Sequence, residues 1–67
     1  MDARGRKDPE ILKFFEYEHL PEHLQTVSKP FCELARWTWE NLPDCAETHV
    51  AQRKLLEAKD AAVRAAL

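Results

Sequence analysis

Residues 14 to 29 read FFEYEHLPEHLQTVSK and gather two phenylalanines, a tyrosine, two histidines and a lysine about a single proline. Rings and cations set close together suit a flat anionic ligand. An aromatic face stacks on a base, and a lysine meets a phosphate with a charge-assisted hydrogen bond. Lys29, beside Pro30, is the cation of most interest, and Phe15, Tyr17 and His23 are among the rings near it in the sequence. The same residues serve equally well as ordinary structure. Phenylalanines can close one end of a helical hairpin, a tyrosine can pack with its hydroxyl in water, and a lysine beside Pro30 can stay solvated.

Other chemistry finds little material. Ser28 is the one serine, and Gly5 is the one glycine, so a phosphate-cradling glycine-rich loop is not available. Cys32 and Cys45 are the two cysteines. Neither has an obvious histidine base beside it in the sequence, and both read as reduced thiols, one or both turned inward. His19, His23 and His49 do not pair with the cysteines at metal-ligand spacing, and Pro21 interrupts the four-residue step from His19 to His23. No cofactor or metal is expected, and catalysis is not the expected activity. Arg53, Lys54 and Arg64 can pair with Glu57, Asp60 and other acids along a helix.

The formal net charge is −2 with both signs interspersed, which disfavours long nucleic acid as a partner. No apolar run approaches the ~20 residues of a membrane span, and the polar start MDARGRKDPE does not read as an export signal. A cytoplasmic location is the expectation.

The positioning elements must be helical. Ala, Leu, Glu, Lys and Arg dominate, and no alternating Val/Ile/Thr segment suggests a strand. Residues 1–7 read as a loose polar leader and 8–67 as one helical domain. A short helix is expected over about 9–16, with Asp8 as cap and Pro9 in first position. Its apolar side would hold Ile11, Leu12, Phe14 and Phe15. A longer helix over 21–42 follows, with Leu24, Val27, Phe31, Leu34, Thr38 and Leu42 as its inward stripe. Pro30 should kink it near Ser28, or break it with Ser28 capping a second piece. Pro43 ends that helix. Asp44 with Glu47 then reads as a capping-box variant for a last helix over 45–65, striped by Ala51, Leu55, Ala58, Ala62 and Ala65. The fold class is therefore all-α, a short N-terminal helix plus an antiparallel helical hairpin. A chain of 67 residues buries little surface alone. With small or apolar residues on two faces of the last helix, self-association is the expected compensation.

Phe15 and Tyr17, the Pro21-Glu22 turn with Gln25 and Val27, Glu33-Leu34-Ala35, and the run from Leu42-Pro43 through Glu47, Val50-Ala51 and Arg53-Lys54-Leu55-Leu56-Glu57-Ala58 form a pattern over residues 15 to 65. The pattern resembles a family of small phage proteins, the anti-CBASS cyclic-oligonucleotide sponges of tailed phages and their actinophage relatives. The resemblance implies helical hairpins assembled as homo-hexamers that hold cyclic dinucleotides between subunits and cyclic trinucleotides in separate pockets, uncut, so that host defence is starved of its signal. On that resemblance Tyr17 would stack on a base, Ser28 or Lys29 would meet phosphate, and Arg64 would serve the trinucleotide pocket. Arg53 is the next cation in line. The chain departs from the family pattern at Pro30, at His23 where a basic residue is usual, and at residues 59–63, KDAAV. The rival expectation is a small helical phage protein that oligomerises and grips another protein through Phe31, Trp37 and Trp39.

Overall fold

The computed structural model describes residues 8–67; the leader expected at residues 1–7 lies outside the described residues. A 3₁₀ helix, Glu10–Phe15, precedes two long helices, α1 (Glu22–Asn41) and α2 (Ala46–Ala66), and the described residues contain no strand. The all-α class and the hairpin agree with the sequence reading, and each boundary falls within a residue or so of expectation.

Pro9 is the residue before the first helix, not its first member, and Asp8 does not cap it. The Asp8 carboxylate instead accepts a hydrogen bond from Arg36 of α1 at 3.0 Å. A 3₁₀ helix repeats every three residues, so residues three apart share a face. Leu12 and Phe15 therefore point together into the core, while Phe14 is turned out and 63% exposed. The expected apolar side that joined Phe14 to Leu12 assumed the 3.6-residue period of an α-helix.

Pro21 caps α1, and its carbonyl accepts from the Leu24 and Gln25 N–H groups. The Gln25 side chain reaches back to the Leu20 carbonyl at 2.8 Å and ties the turn to the helix. α1 then runs unbroken through Pro30. The expected break with Ser28 as a second cap does not occur. Ser28 is fully buried inside the helix, and proline removes only its own N–H while its ring here faces solvent.

The inward stripe of α1 keeps Leu24 and Thr38, with Phe31 packed against the core, but takes in Ser28, Ala35 and Trp39 where Leu34 was expected. Leu24, Ser28, Ala35, Thr38 and Trp39 are buried, whereas Leu34 is 47% exposed. The core gathers Leu12, Phe15, Ala35 and Trp39, with Ile11, Phe31, Cys32, Leu55 and Leu56 packed around it. Ala35 is fully buried in that cluster with Phe15 and Trp39, and close packing leaves a larger residue no room there.

Cys45 caps α2, so the expected Asp44–Glu47 box is not the one formed. Asp44 spends its carboxylate on His49 at 2.7 Å. Thr48 and Gln52 are buried on the face that meets α1, followed by the half-buried Leu55, Leu56, Lys59, Ala62 and Val63. Ala58 and Ala65, members of the stripe read from sequence, are exposed.

Candidate functional site

The 3₁₀ helix and the turn after it lie against the C-terminal half of α2 and leave a cleft of about 350 Å³. Lys13, Phe14, Glu16, His19 and Leu20 form one wall; Lys59, Asp60, Val63 and Arg64 form the other. Each wall follows from helical phase. Lys13 and Phe14 are the residues a three-residue period turns away from the Leu12–Phe15 face. Lys59, Asp60, Val63 and Arg64 recur at the i, i+1, i+4, i+5 steps of an α-helical side.

Lys13, Lys59 and Arg64 line this cleft with the carboxylates of Glu16 and Asp60, and His19 adds an imidazole ring. The Lys13 amine lies 2.8 Å from Glu10, and the hydrogen bond to that carboxylate, with its charge, holds the amine above its ordinary pKa and Glu10 below. Lys59 is bonded to Asp60 at 2.9 Å with only 13% of its side chain exposed. The cleft thus offers an exposed ring flanked by cations, with apolar footing from Leu20 and Val63.

The residues singled out from sequence are dispersed by the fold. Arg64 lies in this cleft. Tyr17 is half-buried in the turn, while His23 and Lys29 are exposed along α1, outside the cleft walls. Two assignments need correction. Phe15 is 0% exposed, its ring enclosed by the core and closed to a base. Ser28 is likewise 0% exposed, and its hydroxyl cannot reach a phosphate in solvent. Trp39, named for a protein contact, is a core residue at 7% exposure, and of the two tryptophans only Trp37, 51% exposed, remains outside. The sequence reading missed Phe14, Lys13 and Lys59. No spacing in the sequence marks them, because the Glu10–Lys13 step of three suits an α-helix as well as a 3₁₀ turn.

Arg53 falls in a second cleft, at the start of α2, with Asp44, Cys45 and His49. The Cys45 thiol contacts the Thr48 hydroxyl at 3.4 Å. That contact, with the backbone N–H groups of Thr48 and Glu47, holds the thiol below its ordinary pKa. His49 therefore shares a cleft with a cysteine after all, four residues on, although its ring is engaged by Asp44. Cys32 is the opposite case: half-buried, with burial pushing its thiol up against the pull of Arg36. Among the described residues, no group of three or more His, Cys, Asp or Glu is placed to hold a metal ion. No described helix is long and apolar enough to cross a membrane.

No protein-family model, curated protein or solved structure matches this chain. The resemblance to the phage sponges rests on the sequence pattern alone.

Proposed function

We propose that this chain binds a cyclic oligonucleotide, a cyclic dinucleotide first and a trinucleotide second, and holds it without cutting it, as a homo-oligomer. One observation carries the reading: the exposed Phe14 ring shares a cleft with Lys13, Lys59 and Arg64. A ring with cations beside it matches a base and a phosphate. The cleft's volume of about 350 Å³ lies at the small end of the roughly 300–1,000 Å³ range of ligand pockets. It suits one nucleotide unit, so a cyclic dinucleotide would be shared between two copies. In the setting that the resemblance supplies, a hexamer in the cytoplasm of an infected cell would evade host defence by sequestering its signal.

Titration calorimetry with a panel of cyclic di- and trinucleotides tests this. Binding should occur, and chromatography of ligand released by heat denaturation should return it intact. Cleaved or linear product in proportion to protein would replace the sponge with an enzyme, and no binding across the panel would remove the nucleotide reading. A second reading, contact with another protein, is favoured by the exposure of Leu34 and Trp37 on α1.

A further inference from the structure

The hairpin has two broad sides, and the 3₁₀ helix covers one of them. Arg36 of α1 reaches Asp8 on that side, and Lys59, Val63 and Arg64 of α2 meet Lys13 and Phe14 there. At 100° per residue, the opposite side of α1 presents Val27, Pro30, Leu34 and Trp37, spaced i, i+3, i+7 and i+10. Leu34 and Trp37 are 47% and 51% exposed, Pro30 is exposed, and Val27 is half-buried. The same side of α2 presents Ala51, Ala58, Ala62 and Ala65, of which Ala58 and Ala65 are exposed. One helix thus carries a bulky stripe and its neighbour a small one, both on the side away from the 3₁₀ helix.

We propose that a second copy of this chain seats on this face, with α1 of each copy against α2 of the other. The inference rests on the reading that the protein is a homo-oligomer and names the surface that makes it one. Size complementarity selects the partner. A two-fold axis parallel to the helices sets bulky stripe on small stripe twice over. Pairing α1 with α1 would oppose bulk to bulk and leave the alanine stripes apart.

Register supports the same pairing. The Gln52–Thr38 hydrogen bond fixes how α1 and α2 lie alongside one another, and the two-fold axis preserves those levels. Leu34 then falls opposite the hole bounded by Ala51, Lys54, Leu55 and Ala58 of the other copy, in the manner of a knob in a helical bundle. Lys54, whose Glu57 partner within the chain is at 3.7 Å, comes level with the turn between Glu33 and Glu40. The molecule measures 36 × 23 Å across its two longest dimensions, so nearly the whole of a broad side would have to be covered to reach the ~800 Å² per partner of a standard interface. Glu33, Glu40 and Glu47 against Lys54 leave the borders of the stripes net negative, which disfavours an anionic lipid surface or nucleic acid as the occupant.

Sedimentation equilibrium on wild type, Leu34→Glu and Ala58→Lys decides the matter, with circular dichroism to confirm that each variant keeps its helices. Wild type should associate, and each variant alone should dissociate at least tenfold more readily. An equimolar mixture of the two variants should recover association, because one glutamate then meets one lysine across a contact and the other contact is wild type. A wild type that associates while both variants associate equally well would overturn the assigned face and leave the oligomer standing. Variants that weaken association without recovery on mixing would overturn the α1-on-α2 pairing. A folded wild-type monomer at micromolar concentration would remove both the face and the oligomer.

Discussion

The Gln52 side chain donates a hydrogen bond to the Thr38 hydroxyl at 3.2 Å, across the seam between α1 and α2, where the two residues are 2% and 5% exposed. Thr38 in turn donates to the Ala35 carbonyl at 2.6 Å. The hydroxyl is therefore both acceptor and donor, and the pair locks the register of the two helices. A one-residue slip would leave a buried amide without its acceptor, which is costly where water does not reach.

Removing the acceptor should hurt more than removing the donor. Thr38→Val strands the Gln52 amide, at a cost of about 1–3 kcal/mol. Gln52→Leu leaves the Thr38 hydroxyl bonded to Ala35 and should cost less. The double variant should recover part of the Thr38→Val loss, since no buried amide remains. Each kcal/mol moves the melting temperature of a domain this small by about 4–8 °C, so thermal melts followed by circular dichroism resolve the cycle. Equal losses in the two single variants would show that the bond does not set the register.

Within α1, two residues work against the helix that contains them. The Ser28 hydroxyl is buried with no hydrogen-bond partner, and Pro30 removes a donor for the Thr26 carbonyl inside an unbroken helix. Ser28→Ala should raise stability by about 1 kcal/mol, and Pro30→Ala by up to ~3 kcal/mol. Melting temperatures below wild type for both variants would show that the surroundings have adapted to these residues.

These two positions also mark what the sequence could and could not convey. The helical class, the three elements and their ends were legible, because Pro9, Pro21 and Pro43 punctuate a composition rich in helix formers. The face of α1 was legible only in part. A hydrophobicity pattern finds Leu24, Phe31 and Thr38 but favours Leu34 over Ala35, the residue that joins Phe15 and Trp39 in the core. The same limit governs the candidate cleft. Arg64 was legible as a cation near a helix end, but Phe14 could be separated from Phe15 only by knowing that Glu10–Phe15 winds as a 3₁₀ helix.

The thiols should differ in reactivity. Hydrogen bonding at the start of α2 lowers the Cys45 pKa, whereas burial raises that of Cys32. The thiolate is the nucleophile, so at a given pH near neutrality the fraction able to react is larger for Cys45. Its pH–rate profile for alkylation should lie to the acid side of that for Cys32. Mass spectrometry of protein treated briefly with iodoacetamide should find label on Cys45 first, and Thr48→Val should shift the Cys45 profile back toward alkaline pH. Faster labelling of Cys32 would mean that the hairpin opens more readily than its packing suggests.

The nucleotide reading stands most directly on Phe14 and Arg64, which face one another across the cleft between the 3₁₀ helix and α2. Both are exposed, so Phe14→Ala and Arg64→Ala should leave the melting temperature near wild type. Loss of a charge-assisted phosphate contact costs roughly 1.5–3 kcal/mol, about ten- to a hundredfold in affinity. Loss of a stacked ring costs about 1–3 kcal/mol. Calorimetry with cyclic dinucleotides should therefore show both variants at least tenfold weaker than wild type. Lys29→Ala is the control that separates two sites on one protein. If it binds as wild type does, the cleft is the site. If it alone abolishes binding while Phe14→Ala and Arg64→Ala bind normally, the ligand sits at Lys29, a residue the sequence resemblance selects. The cleft would then be only the seam between the 3₁₀ helix and α2.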